Sequence, residues 1–182
     1  MFGTDIFKKT CDLDLERLMA ACQQHHDQVP NARVSNRGGG YQGHNFQDQE
    51  FTDMILQCFP RNPEVNLPPV RVQSWVNING FGAWNALHNH IDTNAVISGV
   101  FYVKAPPNTG NIFFYDPRYL SSVGSYYQYY YPGDGGYMEV EPQPNMLLFF
   151  PPSLFHMVGP NLTQQERCSI AFNIMVVSTH QS

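Results

Sequence analysis

The residues able to do chemistry fall in two short stretches and one isolated position. Leu87-His88-Asn89-His90-Ile91-Asp92 sets two imidazoles and a carboxylate at every second place. Side chains two apart on an extended strand share a face. His88, His90 and Asp92 are therefore expected to point into one cavity and to chelate an ion from a single strand. His156 comes much later, after an apolar run and the turn Pro151-Pro152-Ser153; a closed barrel brings it alongside and completes a three-group site. Three protein ligands leave coordination positions open, which is the arrangement for catalysis rather than structural support. Histidine plus carboxylate with open positions suits Fe(II), and also Mn(II) or Zn(II). The competing reading is histidines satisfied by ordinary hydrogen bonds with no metal. His25, His26, His44 and His180 lie in polar or terminal segments and are expected to be solvated.

The second stretch is Glu166-Arg167-Cys168-Ser169-Ile170-Ala171-Phe172-Asn173. Arg167, Ser169, Ala171 and Asn173 alternate there with Cys168, Ile170 and Phe172, so Arg167 and Ser169 share a strand face. An arginine turned inward needs a partner, because an unpaired buried charge is costly. Its fork matches a carboxylate bidentately, and a neighbouring hydroxyl adds a further bond. An internal Asp or Glu, or water at the barrel mouth, would serve; beside a metal, a small dicarboxylic acid fits better.

Positioning these groups falls to strands. Val70, Val72, Ser74, Val76 and Ile78 alternate with Arg71, Gln73, Trp75, Asn77 and Asn79, a period of two. Further strands are expected at 95–103, 111–115, 146–150 and 168–177, separated by Pro- or Gly-containing segments with no helical period between them. That pattern favours an antiparallel barrel or sandwich over βαβ units. Two helices precede them. One is expected over 12–24, with Leu15, Leu18, Met19 and Cys22 on one face and Thr10 or Asp12 as cap; the other over 48–59, with Phe51, Met54, Ile55, Cys58 and Phe59 on one face and Pro60 as its stop. Ser35 to Tyr41, with three consecutive glycines, reads as a surface turn and lacks the Lys or Ser/Thr of a phosphate loop. Residues 116–137 carry seven tyrosines between two strands, and read equally as a lid over a pocket or as a surface excursion or subunit contact. Trp75, Trp84 and Phe101 are candidates for an aromatic pocket or for core.

Length and composition set the frame. A chain of 182 residues, 42% hydrophobic, fits a single domain with a sizeable core. Its expected layout is a helical packing region over about 1–65 and a β barrel over about 66–178. Ten Lys and Arg against fifteen Asp and Glu give a net charge of −5, with no basic face for a nucleic acid. No run reaches the roughly 20 apolar residues of a membrane helix, and Asp12, Asp14 and Glu16 follow Lys8-Lys9 where a secretory signal would be apolar. A cytoplasmic location is expected, and a homo-oligomer is compatible with the sequence. Cys11, Cys22, Cys58 and Cys168 match no zinc spacing and are expected to be free thiols.

Six segments carry a resemblance: SNRGGGYQ (35–42), SWVNING (74–80), HNHIDTNAVISGVFYV (88–103), GNIFFYDPR (110–118), LLFFPPSLFH (147–156) and ERCSIAFN (166–173). In this order and over most of the chain, the sequence resembles the 2-oxoglutarate/Fe(II)-dependent oxygenases, in the bacterial and phage branch with an HxH-type motif. The resemblance implies a mainly β fold, the double-stranded β-helix or jelly roll of cupin-like barrels, with flanking N-terminal helices. It implies Fe(II) held by a short histidine-containing pair and a distal His156. It implies that Arg167 with Ser169 binds the far carboxylate of 2-oxoglutarate, with Tyr102 or Asn77 touching the cosubstrate from neighbouring strands. By the register of SGVFYV the pair is His88 and His90, leaving Asp92 to orient a ligand histidine; the wider H-x-D rule selects His90 and Asp92 instead. Ile91-Asp92, where the branch has Pro and a small residue, and Asn145-Met146, where a glycine is usual, depart from the pattern. The implied reaction consumes dioxygen and 2-oxoglutarate, yields succinate and CO2, and hydroxylates a small-molecule or side-chain substrate. Two other readings stand beside it: a cupin-like metal dioxygenase or isomerase that does not use 2-oxoglutarate, and a non-enzymatic jelly-roll module for binding or assembly.

Overall fold

The computed structural model describes residues 4–60, 64, 68–116 and 136–177. The elements run β1 (Phe7–Thr10), α1 (Leu15–Gln28), β2 (Asn36–Arg37), β3 (Tyr41–Phe46), α2 (Gln49–Cys58), β4 (Val70–Asn79), β5 (Trp84–His88), a 3-10 turn (Ile91–Thr93), β6 (Ala95–Lys104), β7 (Ile112–Tyr115), β8 (Tyr137–Val140), β9 (Met146–Phe150), β10 (Phe155–Val158) and β11 (Arg167–Val176). Most of the tyrosine-rich segment, residues 117–135, lies outside the described residues.

Among the described residues every strand pairing is antiparallel, and the strands form two sheets: β1-β9-β6-β11-β4-β3 and β2-β5-β10-β7-β8. Among the described residues no ladder joins the sheets, so the molecule is a mainly β double-sheet fold with flanking helices rather than one continuously bonded barrel. The N-terminal stretch is also less helical than expected: β1, β2 and β3 all add to the sheets.

The six-stranded sheet is two-faced because its long strands alternate. One face of β4 and β11 presents Val76, Ile78, Cys168, Ile170, Phe172 and Ile174 to the helices, where they pack with Leu18, Cys22, Phe51 and Ile55 in one core. Phe51, Ile55 and Leu18 are each 0% exposed; removing such side chains from water contributes about 1.5–3 kcal/mol apiece. The opposite face looks toward the five-stranded sheet. Part of it closes a second core around Val100, Leu148, Phe150, Ile112 and Phe114, and the rest lines a cavity.

Helix α1 starts three residues later than expected, because the side chain of Asp14, not Thr10 or Asp12, accepts from Arg17 N at 3.0 Å. Asp48 caps α2 in the same way, through Phe51 N at 2.9 Å. Arg17 then bonds Asp48 at 2.6 Å and Glu50 at 3.0 Å, tying the helices together. All four cysteines are free; Cys22 and Cys168 are buried, and Cys11 and Cys58 half-buried with their sulfurs 4.0 Å apart. No described helix is long and apolar enough to cross a membrane.

Candidate metal centre

His88 ends β5 and His156 sits on β10, and the two are directly opposed in the antiparallel register. Opposed residues project to the same side of a sheet, and the rings meet with centroids 4.3 Å apart. A register shift between His156 and Val158 interrupts the β5–β10 ladder beside the pair, a common device for re-aiming side chains at a site. His90 lies just past the strand. Its backbone N–H donates to Pro152 O at 2.7 Å, and its carbonyl accepts from Thr93 Oγ1 at 2.6 Å. Its ring then falls 5.3 Å from His88 and 5.1 Å from His156, against Trp75 of the facing sheet. One ring nitrogen of each histidine lies within 4.8 Å of the other two.

The tautomers favour metal binding. His88 Nδ1 donates to Ala86 O at 2.7 Å and His156 Nδ1 to Leu154 O at 2.9 Å. His90 Nδ1 lies 2.8 Å from Asn173 Oδ1 and 2.9 Å from Ser98 Oγ, and the Ser98 hydroxyl donates to Asn173 Oδ1 at 2.7 Å. With the proton fixed on each Nδ1, every Nε2 keeps a free lone pair. Burial holds all three rings neutral: it lowers His88, brings His90 down to about 4 against the upward pull of Asn173, and takes His156 well below the ordinary value, with its two neighbours adding to the effect.

Asp92 stands apart. The chain leaves the extended conformation after His88, enters the 3-10 turn and passes through a left-handed Asn94 at φ 56. Asp92 is exposed on that turn and is absent from the histidine cluster. The expectation of one strand carrying His88, His90 and Asp92 on a shared face does not hold. The orienting partners of His90 are Asn173 and Ser98, not Asp92.

A cavity runs from the histidines to Arg167, with Asn77, Tyr102 and Ser169 in its wall. These come from adjacent strands: Ser169 is the register partner of both Asn77 on β4 and Tyr102 on β6. Arg167 is 1% exposed. Its Nη1 donates to Gly110 O at 2.8 Å and Thr109 O at 3.1 Å, its Nε has no partner, and no acidic residue pairs with it among the described residues. Gly110 has φ +96, and a Cβ there would collide with Gly159 O and crowd Arg167 Nη1 at 3.1 Å. Only glycine brings the backbone that close to the guanidinium. Asn77 Oδ1 is likewise buried and unpartnered. Burial pushes the Tyr102 phenol up to about 12, against the opposing pull of Arg167, so it remains a donor. A buried cation with an unused edge, at the far end of a cavity headed by three metal-competent histidines, lacks an anion.

A family model of 2OG-Fe(II) oxygenases matches residues 73–173. The chain belongs to that family. It is an Fe(II)- and 2-oxoglutarate-dependent enzyme, and the donor set fits both: three imidazole lone pairs for the ion and an unpaired guanidinium for a dicarboxylate. In fold it is similar to a Pseudomonas putida prolyl-4-hydroxylase (16% identity, 96% of this chain and 94% of that one, TM-score 0.67). It is also similar to SnoN, a non-haem α-ketoglutarate-dependent epimerase from nogalamycin biosynthesis (15%, 95% and 78%, 0.65). A third likeness is HygX from Streptomyces hygroscopicus with nickel and 2-oxoglutarate bound (10%, 96% and 84%, 0.65). No curated protein matches the sequence.

Some residues of the oxygenase site were not singled out from sequence. Asn173 is 3% exposed and sits on the interior face of β11, in the same alternation as Arg167 and Ser169; an amide kept on a cavity face was the available signal. Partners outside the ligand shell are worth about 10–100-fold in metal affinity. Asn173→Leu is therefore expected to weaken Fe(II) binding by about that factor, while Asn173→Asp, which keeps the acceptor, retains most of it. Metal titration of the two variants distinguishes them. His44 is not simply solvated either: it is half-buried, its ring stacked on Trp75 at 6.0 Å. Of the aromatic candidates, Trp75 lines the cavity, Phe101 belongs to the helix-side core, and Trp84 is 36% exposed.

The lowered histidine pKa values carry a stability consequence. Between the unfolded value of about 6.5 and the lower folded values, the unfolded chain binds more protons than the native one. The metal-free protein is thus fully stable above about pH 7 and loses stability as pH falls toward 4, on the order of 3 kcal/mol for His90 alone. Urea midpoints of the metal-free protein between about pH 7.5 and 5 should decline; a flat profile contradicts buried neutral rings.

Proposed function

We propose that this oxygenase hydroxylates its substrate on an iron held by His88, His90 and His156, with 2-oxoglutarate anchored by Arg167. The observation that carries the reading is Arg167: a cation 1% exposed, with an unpartnered Nε, in the same cavity as the three histidines. The net chemistry the metal and cosubstrate supply together is substrate C–H plus O2 plus 2-oxoglutarate giving C–OH, succinate and CO2.

The chain's own residues act by binding, orienting and drying. Three neutral imidazoles hold Fe(II) without offsetting its charge. Arg167 presents Nε and its free N–H groups to the C5 carboxylate, and Ser169 adds a hydroxyl donor from the same strand face. Asn77, whose amide nothing else orients, turns its NH2 toward a cosubstrate oxygen, and the protonated Tyr102 donates beside it. Val100, Ile112 and Phe150 line the same cavity and exclude water. Asp92 takes no part.

The test is turnover with Fe(II), 2-oxoglutarate and oxygen. Succinate should form in step with a substrate product that gains one oxygen atom from O2. Succinate coupled to a product without added oxygen, as ring closure or epimerisation gives, would leave the cosubstrate assignment standing and refute hydroxylation.

A further inference from the structure

A second recess opens onto the histidines and shares Ser35, Trp75, His88 and His90 with the inner cavity. A substrate approaching the iron from this side passes through it, and its lining selects what passes. Among the described residues the recess holds one charged side chain, Arg37, and no Asp or Glu. The nearby acid, Asp92, is exposed and does not line it.

Arg37 is an exposed residue at the rim of the recess. It ends β2 and leads into the glycine turn, where Gly38 and Gly39 have φ of +62 and +85. A Cβ on Gly38 would strike the carbonyl of Gly82, so the turn packs against the next loop at a distance only glycine allows. Arg37 Nη1 donates to Asn36 O at 2.9 Å and Val34 O at 3.3 Å. Nε and Nη2, the side-on edge of the guanidinium, have no partner among the described residues. Two parallel N–H groups in that geometry match a carboxylate or a phosphate.

Charge points the same way. Fe(II) and doubly ionised 2-oxoglutarate cancel and the histidines are neutral, so among the described residues the charges left lining the two chambers are the buried Arg167 and the exposed Arg37. This occurs in a chain whose net charge is −5. Such a local field draws anions and repels amines.

We propose that the primary substrate carries an oxyanion, a carboxylate or phosphate, which Arg37 binds at the mouth of the recess while the carbon to be oxidised reaches the iron. This rests on the iron and 2-oxoglutarate assignment above.

The experiment uses the anaerobic complex with Fe(II) and 2-oxoglutarate, whose visible charge-transfer absorption reports occupancy of the neighbouring substrate position. Four matched probes are added: 4-methylpentanoate, isopentyl phosphate, 4-methylpentanamide and 4-methylpentylamine. One of the two anions should perturb the band at least about tenfold more tightly than the amide, about 1.4 kcal/mol, and the amine should not bind; the tighter anion identifies the group. Arg37→Glu should abolish the anion preference and admit the amine, an inversion that unfolding cannot produce. Equal binding of anion and amide, no response to either anion, or an anion preference that survives Arg37→Glu overturns the proposal. Failure to form the band at all overturns the iron and 2-oxoglutarate assignment, and this inference with it.

Discussion

His156→Ala is expected to lose tight Fe(II) binding and to cut 2-oxoglutarate turnover by on the order of 10³-fold or more. Outer partners of a metal ligand are already worth about 10–100-fold, and His156 supplies one of three donors. Its position allows no substitute. It is opposed to His88 in the ladder and is 5% exposed. The replacement leaves a buried gap facing two neutral imidazoles. Asp92→Ala is the matched control: from an exposed turn outside the cluster, it should leave Fe(II) affinity unchanged. Metal titration of the two variants checks both statements. A His156→Ala protein that binds Fe(II) as tightly as the parent, or an Asp92→Ala protein that does not, contradicts the triad.

Arg167→Leu is expected to act strongly on cosubstrate binding and little on ligand-free stability. Truncating one member of a buried charge pair costs about 2–5 kcal/mol, so the dissociation constant for 2-oxoglutarate should rise between roughly 30-fold and several thousand-fold. The ligand-free protein should not suffer. There, Arg167 is a buried cation held by two carbonyls with Nε unpartnered. Leu removes the cost of burying an unpaired cation but leaves the Thr109 and Gly110 carbonyls without that donor, so the two effects offset and the ligand-free melting temperature should change little. The parent should gain about 2.7 kcal/mol at a hundredfold excess of cosubstrate over its dissociation constant; the variant should gain almost nothing. Thermal melts with and without 2-oxoglutarate measure both arms. A variant that melts far below the ligand-free parent would mean that Arg167 is a structural residue.

The long strands were legible because both their faces carry information. On β4, Val70, Val72, Val76 and Ile78 pack toward the helices while Trp75 and Asn77 face the cavity, and β11 repeats the pattern with Ile170 and Phe172 against Arg167 and Ser169. Short strands carry no such period. Phe7–Thr10 is exposed throughout and joins the sheet only through its pairing with β9, and Phe155–Val158 is a four-residue strand recognisable by its partners rather than its own residues. Strand β3 begins directly after three glycines, whose turn signal masked it. Type and spacing pointed to His88, His90 and Asp92 with a distant His156, and the preference for His88 and His90 as the pair came from the family resemblance; these three histidines cluster. The mistake over Asp92 came from extending a period of two beyond His88, where a 3-10 turn and a left-handed asparagine redirect the chain. Asp92 and Asn94 are turn-forming types, and that signal competes with the period of two. Arg37 does lie on an exposed turn, and nothing local says that the turn borders a recess shared with His88 and His90, because the pairing of β2 with β5 that brings them together is long-range.

The most direct measurement is a crystal structure of the protein grown anaerobically with Fe(II) and 2-oxoglutarate. The account predicts iron bonded to one ring nitrogen each of His88, His90 and His156, with Arg167 Nε and a terminal nitrogen on the C5 carboxylate. Iron bonded to the Asp92 carboxylate, or a cosubstrate whose C5 carboxylate lies away from Arg167, contradicts it.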